Sequence, residues 1–529
     1  MKRAFRDSSS EASGTEIYQR LLGPLESSRT SVLAGLNKRR RADMGQFFTP
    51  ARTAMLMAEM FENRGDELRL LDAGAGIGTL TAAWVAALCA RPGPHACRVS
   101  LTAYEAEPLF VDQLEATLAA CAEELARADI EATWKVNRAD FVEASVESMR
   151  DSLFRRHAPN FTSAILNPPY RKIQSHSHWR KLLSSVGIET SNLYTAFLAL
   201  AVRLLGPAGE LVAISPRSFC NGPYFKPFRK LFLNQMALRK IHVFESRDRA
   251  FRDYDVLQEN IIFHAVKDKD CTSKVLVSAS NSPEDQQIVT REIDQSEVVR
   301  PDDPDAFIRI VPDHAGDEVA VRMERLVTPL AGLRLSVSTG RVVDFRAKSF
   351  LRAKPSDRTV PLIYPIHFCR GFIKWPCGKS NRKPEAIVAC AKTEDVLIPK
   401  GWYVLVKRFS AKEEKRRIAA AVFDPKQVEH VKLGFENHLN YYHNNGRGMT
   451  EQLAKGLAMF LNSTLVDSYF RQFSGHTQVN AADLRRLPYP SMDALEKLGR
   501  RMEGAFPTET EIDQLVEDEL LKHPEAEDC

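Results

Sequence analysis

The sequence has no run of about 18 apolar residues, so no membrane-spanning helix is expected. Residues Met1 to Gly14 are polar and lack the apolar stretch of a secretory signal. None of the nine cysteines stands in a CxxC pair. That argues against a disulfide framework and a structural zinc site, and makes reduced thiols in the cytoplasm the expectation. His176 and His178 share a loop but have no cluster of Cys, Asp or Glu to complete a metal site, so no metal is expected. Neither an internal repeat nor a nuclease motif is visible. Charge of one sign is also scarce: 73 Lys and Arg against 68 Asp and Glu leave a net +5. This mild excess permits a polyanionic partner without requiring one.

What remains is a 529-residue chain, 44% hydrophobic, with the make-up of a soluble globular protein of two to four domains. Residues 1–44 hold a helical segment, Ile17 to Leu36, and then the basic run Lys38-Arg39-Arg40-Arg41. From 66 to 266, short apolar strands alternate with helical segments. The strands are Leu68–Leu71, Leu101–Tyr104, Trp134–Val136, Ser163–Leu166, Leu211–Ile214, Ile241–Phe244 and Ile261–Phe263. Alternation of that kind predicts an α/β fold with a largely parallel sheet. Between 281 and 320 the sequence turns to Pro, Ser and acidic residues and reads as a boundary. Residues 321–490 are less regular and rich in basic and aromatic side chains, and 491–529 read as an acidic helical tail.

Three constellations sit at strand ends. Asp72-Ala73-Gly74-Ala75-Gly76-Ile77-Gly78 joins the first strand to a helix, and its glycines allow a sharp turn and close approach of a ligand. Glu105 ends the second strand, where an acid can accept hydrogen bonds from ribose hydroxyls. After the third strand, Asp140 can accept from an adenine amino group and Phe141 can cover the ring. Alone, each has a bland explanation: a tight turn, a capping acid, a packed aromatic. Their order beside successive strand ends favours a nucleoside site.

The fourth strand runs into Asn167-Pro168-Pro169-Tyr170. The prolines fix φ and remove two backbone donors, so the Asn167 amide oxygen and the Pro168 carbonyl can face one external amino group. An aromatic exocyclic amine is a poor nucleophile because its lone pair is delocalised into the ring. Two acceptors on its hydrogens localise that pair, and Tyr170 offers a flat face for the base. A Pro-Pro turn after a buried strand explains the tetrapeptide equally well when it is taken alone.

With these motifs in this order, and with Gly45-Gln46-Phe47-Phe48-Thr49-Pro50 ahead of the glycine turn, the chain resembles the gamma-class adenine-N6 DNA methyltransferases of type II restriction–modification systems. The motif match covers 44–270 and extends more loosely to 490. The resemblance implies a Rossmann-like seven-stranded methyltransferase sheet over 45–280 and a C-terminal target-recognition domain over 321–490. It implies S-adenosyl-L-methionine as cofactor and double-stranded DNA as substrate, with a separately encoded restriction endonuclease acting on the same site. By position it places Phe48, Thr49, Asp72, Gly74, Gly76, Glu105, Asp140 and Phe141 around the cofactor, and Asn167, Pro168 and Tyr170 on the target base. It makes Phe251 a candidate contact to an extruded adenine, with Tyr254 nearby as an alternative and core packing as another.

The basic and amide residues downstream suit phosphates and base edges. They include Ser338–Arg341, Tyr364–Phe368, Trp402–Phe409, Lys412–Arg417 and the Asn437–Arg447 stretch, with Arg341, Arg408 and Asn440 as candidate DNA contacts. Lys412–Arg417 reads equally as a solvated helix face. Two rival functions stay open at this point. One is methylation of another amino or amide group, in RNA adenine or protein glutamine. The other is a non-catalytic DNA-binding protein on the same fold.

Overall fold

A computed structural model describes residues 8–35, 48–92, 96–152, 160–244, 259–267, 274–283, 285, 288–310, 315–377, 383–410, 414–473 and 478–521. Two compact units divide the chain, Met1–Pro312 and Asp313–Cys529.

The first unit is built on one sheet. Its strands are β1 (Glu67–Ala73), β2 (Arg98–Tyr104), β3 (Glu131–Asn137), β4 (Phe161–Leu166), β5 (Leu205–Pro216), β6 (Ala237–Phe244), β7 (Asn260–Val266), β8 (Lys274–Ser280) and β9 (Val289–Asp294). Their order across the sheet is β3-β2-β1-β4-β5-β7-β6-β8-β9. β1 to β5 pair in parallel, while β7 runs antiparallel to both β5 and β6. The apolar runs of the sequence become central strands because helices cover both faces. Along β1, Leu68 and Leu70 face one core and Leu71 and Ala73 the other, following the two-residue period of a strand. The helix Thr79–Ala90 is buried from Thr79 to Leu88 and packs on the first face. The helix Leu193–Leu204, buried except for Arg203, fills the second.

All seven expected strands are present, and two more extend the sheet. β8 lies parallel to β6, and β9 lies antiparallel to β8. This corrects the reading of 281–320 as a linker and of the catalytic domain as ending at 280. β9 is an edge strand with only Ile293 buried, so it carries no apolar signature. The stretch after it is stapled to the first unit by Arg229, fully buried, which donates to the carbonyls of Phe219, Gly222 and Asp305 and stacks on Phe307.

The second unit holds a six-stranded and a five-stranded sheet. The strands are β10 (Ser336–Thr339), β11 (Leu351–Arg352), β12 (Thr359–Ile363), β13 (Phe368–Cys369), β14 (Phe372–Ile373), β15 (Ala386–Val388), β16 (Leu397–Pro399), β17 (Tyr403–Lys407), β18 (Ala420–Phe423), β19 (Lys432–Phe435) and β20 (Leu439–His443). The larger sheet is ordered β10-β20-β17-β18-β14-β13 and the smaller β11-β15-β12-β19-β16. The expected tail is a further correction, because its helix Met492–Arg500 belongs to the core of this unit. It crosses Glu451–Leu461 so closely that a Cβ on Gly456 would sit 1.8 Å from the Leu495 carbonyl oxygen, and one on Gly499 1.9 Å from that of Gln452. Among the described residues no helix is long and apolar enough to cross a membrane.

Candidate active site

In the parallel part of the sheet the strand order reverses between β1 and β4. Ligands of open α/β sheets sit outside the carboxyl ends of the strands at such a point. A cavity of about 280 Å³ opens there. Its wall brings together Phe48, Thr49, Gly74, Gly76, Glu105, Asp140, Phe141 and Asn167, from segments up to 119 positions apart (Phe48 to Asn167). Asp72 lies behind the turn and is fully buried. Pro168 is buried and Tyr170 half-buried, and neither belongs to that wall, whereas Pro169 does. Phe251 and Tyr254 lie outside the described residues, as do Gly45 to Phe47, Lys38 to Arg41 and Lys412.

The turn after β1 is shaped by Gly74, Gly76 and Gly78, with φ of +75°, +58° and +86°, a region L side chains rarely adopt. The amides of Gly74 and Ala75 both donate to the Tyr104 carbonyl at 2.9 Å, tying the turn to the end of β2. Glu105, the next residue, accepts from Gly76 N through Oε2 and from Glu107 N through Oε1, each at 2.8 Å. Two backbone donors thus fix its carboxylate against the turn. The Phe48 ring covers the same turn: a Cβ on Gly76 would lie 3.3 Å from Phe48 Cε1, and Phe48 meets Phe110 edge-on at 5.0 Å.

Asp72 accepts from Thr81 Oγ1 at 2.7 Å through Oδ2, and its Oδ1 has no partner among the described residues. Burial, reinforced by the charge of Glu105, pushes its carboxyl up to about 7 against the hydrogen bonds from Thr81. Asp140 caps the helix Phe141–Ser152 with Oδ1, which accepts from the amides of Val142 and Glu143 at 2.9 and 3.1 Å. Its other oxygen takes no part in that cap. Phe141 is held between Tyr104 and Phe197, ring centroids 5.2 and 5.0 Å away.

Asn167 leaves β4 and donates Nδ2 to Thr49 Oγ1 at 2.9 Å. This bond directs the amide oxygen away from Thr49, itself buried. Tyr170 packs edge-on against Tyr194 at 6.1 Å, and burial holds its phenol above the ordinary value, so it stays protonated at neutral pH.

The cavity also includes residues that no motif flagged. Arg171 and Trp179 line it, the guanidinium carbon 5.9 Å from the indole centroid, and Leu193 and Phe197 close its floor. The only sequence signal for the pair is an Arg directly after Tyr170 and an aromatic eight residues on.

In the second unit, Arg341 is exposed and donates to the Asp395 carbonyl, and Arg408 is half-buried and donates to that of Asn437. Asn440 is a correction. It is fully buried, donates Nδ2 to the Val479 carbonyl at 2.7 Å and accepts from Thr339 Oγ1 at 3.2 Å, so its amide holds strands together and is not offered to DNA. Two aromatics paired with cations are exposed instead: Phe345, 76% exposed, under Arg346, and Phe409, 44% exposed, beside Arg408.

Turn, acids and aromatics together suit a nucleoside bearing a sulfonium amino acid. The bare glycine backbone gives space, and Glu105, Glu107 and Asp140 supply acceptors for hydroxyl and amino hydrogens. Sheet and site define an S-adenosylmethionine-dependent methyltransferase.

Comparison with known proteins narrows this class. A family model described as Eco57I restriction-modification methylase matches residues 96–251. Type II methyltransferase M.PstI of Providencia stuartii is 43% identical over 498 residues, covering 94% of this chain and 96% of that protein. Type II methyltransferase M.BsuBI of Bacillus subtilis is 43% identical over 509 residues, covering 95% and 98%. The type IIL restriction-modification enzyme MmeI, solved in complex with DNA, shares the fold with a TM-score of 0.50 at 12% identity, over 98% of this chain and 76% of that one. The chain therefore belongs to the type II restriction–modification methyltransferases. It is a DNA methyltransferase, and its methyl donor is S-adenosyl-L-methionine.

Proposed function

We propose that the enzyme methylates the N6 amino group of an adenine extruded from duplex DNA, as the protective partner of a separately encoded endonuclease that cleaves the same site. The observation that carries this reading is the placement of Asn167 in the cavity wall with its Nδ2 committed to Thr49. That bond leaves the amide to act as an acceptor toward a substrate amine. An adenine amino group has two hydrogens, and the Asn167 oxygen and the Pro168 carbonyl can take one each. Held in this way, N6 would have its lone pair localised and turned toward the cofactor side of the cavity. Bound S-adenosyl-L-methionine supplies the electrophilic methyl. Glu105 holds the ribose and Asp140 the cofactor's adenine amine.

Inside a duplex the amino group is stacked and paired, so the base has to leave the helix at a cost of a few kcal/mol. Stacking on Tyr170 returns roughly 1–3 kcal/mol of this. The second unit reads the site, with the exposed Arg341 and the half-buried Arg408 among the contacts.

Asn167→Ala tests the role of the tetrapeptide. Its acceptor gains most as charge develops on the reacting nitrogen, so turnover is lost while cofactor and DNA binding remain. Single-turnover methylation, with 2-aminopurine at the target position in parallel to report extrusion, separates the two effects. Near-normal chemistry in Asn167→Ala contradicts amino methylation by this site.

A further inference from the structure

We propose that Arg171, beside the Trp179 ring, anchors a phosphate flanking the nucleotide that enters the cavity; this rests on the DNA-methyltransferase reading of that cavity. Both side chains line the wall that carries Asn167. The backbone under Arg171 is pinned on both sides. Its amide donates to the Pro169 carbonyl at 3.1 Å, its carbonyl accepts from Leu193 N at 2.7 Å, and Lys172 bridges to Asn192. Arg171 is nevertheless exposed, and its guanidinium forms no ion pair among the described residues. Its contact is the indole of Trp179, which holds a planar cation without neutralising it.

The charges of the cavity are segregated. Its carboxylates Glu105, Glu107 and Asp140 follow β2 and β3, whereas Arg171 follows β4 on the other side of β1. The acidic side suits the hydroxyls, amine and sulfonium of the cofactor, and an anion there would be repelled. The basic side therefore takes an anion arriving from outside. Lys172, the next residue in the chain, is exposed as well. Duplex DNA brings such an anion with every nucleotide it yields. Arg171 lies four residues beyond Asn167 on the same wall, so a phosphate next to a base held at Asn167 falls within the reach of its side chain. A guanidinium fork suits two phosphate oxygens at once, and the Trp179 ring, 5.9 Å from the guanidinium carbon, holds the cation near the cavity mouth without neutralising it.

The test uses the full-length enzyme, S-adenosyl-L-methionine, a duplex carrying the methylation site and a scrambled duplex, with binding measured across salt concentration. Arg171→Gln is expected to weaken both duplexes alike, about tenfold at 0.1 M salt, and to reduce the slope of log K against log salt by about one, while cofactor affinity stays within twofold. Arg171→Lys restores the slope but not the full affinity. Trp179→Ala loses affinity with the slope retained, and Trp179→Phe recovers it. An unchanged slope in Arg171→Gln overturns the proposal. So does a loss of cofactor affinity alone, which would make the pair a cofactor lid, or a loss confined to the cognate duplex, which would make Arg171 a base reader. Failure of the unaltered enzyme to bind cofactor or DNA overturns the reading of the cavity itself, a result distinct from any of these.

Discussion

Replacing Gly76 with Asp attacks the glycine turn where its backbone amide meets Glu105. Gly76 has φ of +58°, and a Cβ there meets the Phe48 ring at 3.3 Å. The left-handed conformation costs most L residues about 1–2 kcal/mol, and Asp somewhat less. Electrostatic repulsion costs more. Gly76 N already donates to Glu105 Oε2 at 2.8 Å, so the new carboxylate stands beside an existing one. At about 4 Å and an effective dielectric of 20, two such charges repel by roughly 4 kcal/mol. The pair relieves this by protonation or by swinging apart, and either response removes Glu105 as a ribose acceptor and fills ligand space. The expected result is a loss of S-adenosyl-L-methionine affinity of at least about 100-fold, equivalent to roughly 2.7 kcal/mol, in a protein that still folds. Gly76→Ala adds the strain and the Phe48 contact without the charge, and is expected to lose about tenfold or less. Calorimetric titration with the cofactor gives both numbers, and circular dichroism with thermal melting reports the fold. Unchanged affinity in a folded Gly76→Asp enzyme refutes the placement of the cofactor on this turn.

Thr49→Val removes the acceptor that orients Asn167 and is expected to lower kcat about five- to tenfold, the worth of one hydrogen bond, with cofactor and DNA affinities changed less than threefold and with Thr49→Ser recovering the rate. A fall in cofactor affinity alone would show that Thr49 serves the ligand instead. If Tyr170 stacks on the base, Tyr170→Phe is expected to keep most activity because the ring is retained, whereas Tyr170→Ala weakens capture of the extruded base; equal losses in both would show that the hydroxyl matters. Folding raises the Asp72 pKa from its ordinary 3.8 to about 7, so the stability it lends is fully present below about pH 4 and is lost as pH rises through 7. Asp72→Asn cannot ionise, so its melting temperature is expected to gain on that of the unaltered enzyme between pH 4 and 7; parallel melting curves for the two would contradict the burial argument.

The sequence disclosed the catalytic sheet because its central strands are buried on both faces and so read as unbroken apolar runs. Ala164–Leu166 and Leu211–Ile214 are of this kind. It was mute about β9, whose edge position leaves Val289, Thr290 and Glu292 exposed and asks nothing of their polarity. The grouping of the cavity residues was legible for a related reason. Parallel strands deliver their carboxyl ends to one edge, so residues just past successive strands are neighbours however far apart in the chain. The Arg171–Trp179 pair escaped because a cation–aromatic contact leaves no spacing rule outside a regular element.

The second unit was the least readable. Its strands are short, and a buried amide such as Asn440 and an exposed base reader draw on the same residue types. Composition cannot tell an amide that bridges Thr339 to Val479 from one that meets DNA. Position relative to solvent separates them, and it draws attention to Phe345 and Phe409, aromatics that composition alone would assign to a core.

The identity of the modified base tests the chemistry of the cavity most directly. Genomic and plasmid DNA from a methylation-free host expressing the enzyme, sequenced by a method that distinguishes modified bases, answers the question in one run, with an Asn167→Ala culture as control. The prediction is N6-methyladenine at one adenine of a single short sequence context, nearly complete at that context and absent from the control. Methylation on cytosine, or modification that persists in the Asn167→Ala culture, would contradict the chemistry assigned to the cavity.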